Sequence, residues 1–167
     1  MRYQVVELGR TSKAELRAKL DSHSVCFNEY AERLFDSDLF TVTPRPAAIR
    51  CVELEVRELG LEEGGTTEEI LAKARAHGFE TCPIELGPRL RLLRLDQAPD
   101  PDGTLASQGR APDGSITILS EPLVDDDAFP KGFYLRRLGE TLWLRGYRSD
   151  AEHRWSASDR IVLAVRT

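Results

Sequence analysis

Arginine and aromatic side chains alternate near the end of the chain, where residues 132–148 read GFYLRRLGETLWLRGYR. The pair Gly139-Glu140 suits a two-residue type II′ turn, in which glycine comes first. A hairpin around this turn pairs Leu135 with Leu144 and puts the apolar side chains on one face. The opposite face, which we call the Arg/aromatic face, carries Tyr134, Arg136, Trp143, Arg145 and Tyr147.

Three kinds of contact suit the Arg/aromatic face. Cation–π pairs can stabilise the sheet alone, with the face buried under N-terminal helices through Phe27, Tyr30, Leu34 and Phe35. Tyr, Trp and Arg are also favoured at the centres of protein interfaces. Rings that stack on bases beside phosphate-binding arginines suit a nucleotide or single-stranded nucleic acid. We predict a non-enzymatic binding module that has no cofactor and whose partner is a protein rather than a nucleic acid.

A small hydrolase-like enzyme is the alternative function. Asp150, Glu152 and His153 follow the hairpin and provide side chains for general acid–base catalysis. This enzyme requires a concave pocket that contains His153 with a carboxylate within hydrogen-bond reach. A docking face requires instead that Trp143 and Arg136 are accessible, so the two hypotheses predict different surroundings for these side chains.

Motifs for metal or phosphate chemistry are absent or incomplete. The segment from Asp100 to Gly103 resembles the start of a calcium loop, but its glycine comes too early and the final glutamate is missing. His23 and Cys26 have zinc-ligand spacing without a second close pair. No phosphate-binding or dinucleotide-binding glycine pattern occurs. We therefore expect no metal site.

Composition limits the classes of partner. The chain has 167 residues, 41% of them hydrophobic, and a net charge of −5. A general nucleic-acid binder would carry the opposite charge, so an anion site has to be a local patch. Acidic residues predominate over 96–127 and basic residues over 130–167, so the acidic loops can neutralise the basic hairpin. Three widely spaced cysteines indicate reduced thiols in a cytoplasm, and no apolar run is long enough to span a membrane.

Periodicity and capping signals predict the elements. A short strand is expected over 3–8, and capping boxes begin helices at Ser12 and Thr66, the second running over 67–77. Asn28 is the expected N-cap of an amphipathic helix. Alternation predicts a strand over 49–59 with Cys51 on its polar face, and strands at 89–95, 115–120, 133–138, 142–147 and 160–166. Between them, residues 96–114 read as a long loop of a functional or poorly ordered kind.

These elements predict a single α+β domain over residues 1–167. Its mostly antiparallel sheet of about five strands comes from the C-terminal half. The helix at 67–77 and the N-terminal helices pack against the sheet, and residues 1–43 form a helical arm.

Several segments resemble a group of uncharacterised bacterial proteins of similar length. They are residues 28–31 (NEYA), 58–60 (ELG), 82–88 (CPIELGP), 129–137 (FPKGFYLRR) and 143–148 (WLRGYR). The resemblance covers the chain from about residue 12 to the end. It implies a bacterial, intracellular single-domain protein, and it transfers no functional residue because the group has no established activity.

Overall fold

The structure, a computed structural model, describes residues 1–100 and 111–167. Its helices are α1 (Lys13–Ser22), α2 (Glu29–Asp36), α3 (Thr67–Ala76) and α4 (Leu86–Leu93). Its strands are β1 (Arg2–Leu8), β2 (Cys26–Phe27), β3 (Ala47–Glu55), β4 (Gly65–Thr66), β5 (Phe79–Glu80), β6 (Ile116–Ile118), β7 (Gly132–Leu138), β8 (Thr141–Tyr147), β9 (Arg154–Trp155) and β10 (Arg160–Val165). The fold is α+β, as the sequence predicts.

One large sheet organises the described part of the chain. Eight strands form it, in the order β1-β3-β10-β6-β7-β8-β2 with β5 beside β10, and the pairs are antiparallel except β6–β10 and β2–β8. The strands β4 and β9 make a separate antiparallel pair. The expected five strands are therefore too few, and strands from the N-terminal half belong to the sheet. Residues 1–43, predicted as a helical arm, also contain β1 and β2.

Local capping signals are confirmed at three helices. The Ser12 and Thr66 side chains each accept a hydrogen bond from the backbone N–H of a glutamate three residues on, at 3.1 and 3.2 Å. In both cases the glutamate carboxylate accepts from the N–H of the capping residue. The Asn28 side chain accepts from Ala31 N at 3.0 Å. These contacts satisfy backbone donors that helix N-termini leave unpaired.

Apolar side chains cover both faces of the sheet. On one face α2 and α4 bury Leu34 and Leu90 against β7 and β8, and α1 packs on α4 with Leu20 in the same core, all three leucines being fully inaccessible. On the other face α3 contributes Ile70 and Ala74 to a second core. Successive residues of β3 and β10 enter these two cores in alternation. Because both faces of the sheet are covered, Cys51 is completely buried, although the sequence predicts it on a polar, partly exposed face.

The strand predicted over 89–95 is wrong, because this segment belongs to the helix α4. Leu86 and Leu90 lie four residues apart and are both fully buried, which is helical spacing. Pro88 is tolerated because it lies in the first turn, where its missing N–H has no helical acceptor. A close approach of Gly87 to Phe133 seats the helix on β7, where an added Cβ would lie 2.7 Å from the Phe133 Cβ.

Two other predicted segments, a strand and a loop, have different outcomes. The strand predicted over 49–59 ends at Glu55 and continues as a 3₁₀ turn over Val56–Leu59. The predicted loop 96–114 lies partly outside the described residues, which omit 101–110.

No helix in the described ranges has the length and hydropathy needed to cross a bilayer.

Candidate functional site

The hairpin has the register that the sequence predicts. The strands β7 and β8 pair Leu135 with Leu144 and Tyr134 with Arg145. Gly139 has a φ of +55° in the turn, and Glu140 does not share this left-handed conformation. This combination is that of a type II′ turn. The predicted residues Tyr134, Arg136, Trp143, Arg145 and Tyr147 therefore share one face of the ribbon.

Arg136 is buried within that face and cannot serve as the exposed cation that a docking platform needs. Its side chain is 3% exposed, and its Nη2 lies 2.8 Å from a carboxylate oxygen of Asp100, which is 1% exposed. This contact joins the segment before residue 101 to the hairpin. Trp143 remains half-buried. Because one of the two required side chains is inaccessible, the predicted flat platform loses its central cation.

Acidic segments do neutralise part of the basic hairpin region, as predicted. Asp100 pairs with Arg136, and an Asp127 carboxylate oxygen lies 3.0 Å from Lys131 Nζ. The Lys131 ammonium also donates to the Asp126 backbone carbonyl at 3.2 Å. The neutralisation is partial, because no acidic side chain among the described residues forms an ion pair with Arg145 or Arg148.

Arg145 forms no ion pair with an acidic side chain in the described part of the chain. Its Nε donates to the Tyr134 hydroxyl at 2.8 Å, and its guanidinium carbon lies 5.0 Å from the centre of the Trp143 ring. These contacts fix the side chain without neutralising it. The next basic residue, Arg148, stacks over Tyr30 at 5.1 Å and has no carboxylate partner among the described residues either.

The N-terminal helices do not bury the Arg/aromatic face, contrary to one of the alternatives. Phe35 packs 5.7 Å from Phe133, which points to the apolar face. The helix α2 reaches the rim of the sheet through Asn28, whose side chain exchanges two hydrogen bonds with the backbone of Gly146, at 2.9 and 2.8 Å. These bonds hold Tyr30 beside the end of β8.

A concave cleft of about 260 Å³ lies at this end of the face. We call it the Arg/aromatic cleft. Its aromatic and basic wall residues are Tyr30, Tyr134, Tyr147, Trp155, His153, Arg145 and Arg148. It unites three of the five predicted residues with side chains from distant parts of the chain. Burial raises the pKa of Tyr147, so its hydroxyl stays protonated at neutral pH.

Trp155 forms a fixed wall of the cleft. Its indole N–H donates to the Thr67 hydroxyl at 2.9 Å, which ties it to the first turn of α3. The Tyr147 and His153 rings contact it edge-on at 5.9 and 4.9 Å. The pairing of β9 with β4 holds the backbone on the same side. These contacts order the wall before any ligand binds.

Of the hydrolase candidates, His153 lies in the wall of the cleft and Asp150 and Glu152 lie beside it, and the three form no catalytic pair among the described residues. Asp150, Glu152 and His153 line an adjoining shallow depression of about 620 Å³. Asp150 accepts a hydrogen bond from the Glu152 backbone N–H at 3.0 Å. Within residues 1–100 and 111–167, the His153 ring has no hydrogen bond or ion pair with a carboxylate, and its ring contact is to Trp155. The described residues therefore place His153 in a concave site but provide no carboxylate hydrogen-bonded to its ring, so only half of the required geometry is met.

The described residues also contain no cluster of three or more His, Cys, Asp or Glu side chains that could hold a metal ion. Among the cleft residues, sequence analysis left Arg148 and Trp155 out of the candidate binding face and placed Tyr30 there only as a residue that buries it. Arg148 directly follows the predicted hairpin and could have been included. The amphipathic pattern of α2 predicts that Tyr30 faces the sheet, and the packing of α2 on β8 decides that it lies at the cleft rather than over the centre of the face.

Comparisons with known proteins add no assignment for this α+β fold and its cleft. No protein-family model matches the chain, and neither a curated protein nor a solved structure matches it. The resemblance described from the sequence stays a prediction.

Gly146 lies against the backbone of α2 at the rim of the cleft, where a side chain has no room. Gly146→Ala should lower the free energy of unfolding by about 1–3 kcal/mol, because overpacking forces the backbone to shift. The new Cβ would lie 2.7 Å from the Tyr30 carbonyl carbon and 2.8 Å from Ala31 N. Urea denaturation measures the change. Gly132→Ala in the same hairpin is the control, since its nearest atom would be 3.3 Å away. Equal stability of the Gly146 variant and the wild type would contradict this packing.

Proposed function

We propose that this protein is a non-enzymatic binding module whose Arg/aromatic cleft holds a small anionic ligand with a planar ring, of the mononucleotide class. The observation that carries the proposal is the pair Arg145 and Arg148. Both line the cleft, and neither forms an ion pair within the described residues. Arg145 is half-buried and Arg148 is exposed, so Arg145 in particular keeps part of its desolvation cost, which a bound anion would offset.

The aromatic walls favour a ligand with a ring beside its charge. The half-buried Tyr30 presents ring surface in the same cleft as the two arginines, whereas Tyr134 and Trp155, 8% and 4% exposed, line it from within the core. Stacking of a base on such a ring is worth about 1–3 kcal/mol. The cleft is smaller than most drug-binding pockets, which start near roughly 300 Å³. Its size therefore favours a single nucleotide over a polymer.

A protein partner, the first expectation from the sequence, has less support. Its platform was centred on Arg136 and Trp143, and Arg136 is 2% exposed. A concave, basic cleft binds a compact anion better than it binds the flat surface of a partner protein. We therefore propose that the ligand bound at this hairpin is a small molecule and not a protein.

The test is calorimetric titration with the monophosphates of adenosine, guanosine, cytidine and uridine. We expect at least one to bind with a dissociation constant below about 1 mM. Arg145→Ala should weaken that binding by about tenfold or more, since a charge-assisted hydrogen bond contributes about 1.5–3 kcal/mol. Arg145→Lys should retain part of the affinity because the charge remains.

The control is Arg45→Ala, which removes an exposed arginine outside the cleft and leaves the net charge the same as in Arg145→Ala. It should bind as the wild type does. The proposal fails if no monophosphate binds in this range, or if Arg145→Ala binds as tightly as Arg45→Ala.

A further inference from the structure

The strand β1 forms an open edge of the large sheet. It lies at one end of the strand order and pairs with β3 through all seven of its residues, in one register without a bulge. It forms no backbone hydrogen bond with any other described segment. The backbone groups of a strand point alternately to its two sides, so every second residue of β1 presents its N–H and C=O groups outward. These groups are available to a further strand.

Apolar side chains are exposed along this edge. Five large apolar side chains are exposed in the described ranges, and three of them belong to the first five residues: Met1, Tyr3 and Val5, at 50%, 47% and 64%. Tyr3 and Val5 lie on one face of β1 because they are two positions apart. The intervening and following residues alternate with them, and Val6 is buried in the core on the other face. The outer face of β1 is therefore an uncovered apolar stripe.

The edge lacks the features that usually prevent strands from adding to a sheet. Native edge strands are commonly protected by proline, by a bulge or by charged side chains. The strand β1 has no proline, and its residues 3–6 (YQVV) carry no charge. A regular, uncharged edge of this kind is suited to pairing with an added strand.

Charged side chains beside the apolar stripe define what the added strand must carry. Arg50, the β3 neighbour of Val5, stacks over the Tyr3 ring at 4.9 Å and forms no ion pair within residues 1–100 and 111–167. Glu7 pairs with Arg10 at 2.8 Å, but these side chains are 63% and 60% exposed, and such pairs contribute little. The edge therefore favours a strand with an apolar residue at Val5 and a carboxylate beside Tyr3.

We infer that β1 pairs with β1 of a second copy of this chain, so that an antiparallel dimer forms with one continuous sheet. The two-fold axis lies at Val5, which faces Val5 of the second copy. This register places Glu7 of the second copy opposite Tyr3, next to Arg50. A two-fold axis perpendicular to the sheet keeps the apolar stripes of both copies on one side, and the register satisfies that requirement. The strand is thus its own complement in both apolar contact and charge.

Sedimentation equilibrium measures the expected dimer. One pair of seven-residue strands buries less than the roughly 1,200 Å² of a standard interface, so we expect a weak dimer. Its dissociation constant should be about 10–100 µM, within a concentration series from about 1 to 500 µM. A monomer throughout this series overturns the inference, and a strand of a different protein would then be the remaining occupant of the edge.

Val5→Lys tests the position of the two-fold axis. It puts two ammonium groups opposite each other in the dimer and should weaken dimerisation by about tenfold or more. Leu39→Lys is the matched control, because Leu39 is 58% exposed and lies outside β1, and it should dimerise as the wild type does. Both positions are exposed, so both variants should fold. Equal dimerisation of the two variants overturns the inference.

A charge exchange tests the register. Glu7→Lys should weaken dimerisation by about fivefold, because two weak pairs with Arg50 become repulsive in each dimer. Adding Arg50→Glu reverses both charges and should restore much of the affinity. Both residues are exposed. A double variant that dimerises no better than Glu7→Lys alone contradicts the proposed pairing of β1 with itself.

Discussion

Glu85→Ala should lower the free energy of unfolding by about 3–5 kcal/mol, because it removes a buried carboxylate that three groups share. Glu85 is 1% exposed. Its carboxylate accepts hydrogen bonds from Gly9 N at 2.9 Å, from Thr43 N at 2.6 Å and from the Arg89 guanidinium at 2.8 Å. The residue therefore ties α4 to both ends of the segment that carries α1 and α2. Without it, two backbone donors and a largely buried arginine lose their acceptor.

The same carboxylate makes stability depend on pH. Burial alone would raise the pKa of Glu85, but the hydrogen bonds from Gly9, Thr43 and Arg89 outweigh it and hold the pKa below its ordinary value of 4.5. A lowered folded-state pKa means that the carboxylate stabilises the protein above the unfolded-state pKa. This contribution is lost as the pH falls below 4.5 and through the lowered folded-state value.

Urea denaturation at a series of pH values from neutral to acidic measures both effects. Glu85→Gln has nearly the same shape and no titrating group, so it should be less stable than the wild type at neutral pH. The difference should shrink as the wild-type carboxylate is protonated. Glu63→Gln, at an exposed glutamate, is the matched control and should follow the wild type. Parallel pH profiles for the Glu85 variant and the wild type would contradict the assignment.

Glu53→Ala should cost a similar amount, about 3–5 kcal/mol, because Glu53 joins two arginines. Its side chain is 4% exposed, and one carboxylate oxygen lies 2.8 Å from Arg94 Nη2. The other oxygen accepts a hydrogen bond from Arg160 at the start of β10. The Arg94 side chain is 7% exposed, so removing Glu53 would leave a buried cation without this counter-ion. This triad ties the end of α4 to the neighbouring strands β3 and β10 of the sheet.

Thermal and urea denaturation of Glu53→Ala test this expectation. Glu80→Ala is the control, because Glu80 also pairs with an arginine but is 54% exposed, and exposed pairs contribute about 0–1 kcal/mol. In the double variant Glu53→Leu with Arg94→Met, apolar side chains replace both charges, and much of the lost stability should return. A Glu53→Ala protein as stable as Glu80→Ala would show that the buried triad contributes little.

Glu53 and Arg136 show where sequence patterns mislead. Alternation in β3 and β7 assigns both to polar faces, and this alternation is correct. Exposure does not follow from it, because α4 covers the face of β3 that carries Glu53, and the segment that ends at Asp100 covers Arg136. Each charged side chain then needs a partner from elsewhere in the chain: Arg94 for Glu53, and Asp100 for Arg136.

The segment 86–93 shows a second limit. Its leucines fit two periods over so short a stretch, and Pro83 before it, with Gly87 and Pro88 within it, favours irregular structure. The helix forms because Leu86 and Leu90 pack onto β7 and β8, where Gly87 allows the close approach. Tertiary packing thus decided an element whose local preference was ambiguous.

The sequence by itself determined the hairpin turn, its register, the N-terminal caps and the helix α3, because each depends on contacts between residues a few positions apart. Only the tertiary structure decided that both sheet faces are covered, that Arg136 is buried and that Tyr30 and Trp155 join Arg145 in a cleft. Those outcomes depend on contacts between residues far apart in the chain, such as the 118 positions between Asn28 and Gly146. Periodicity within one segment carries no record of which distant segment packs against it.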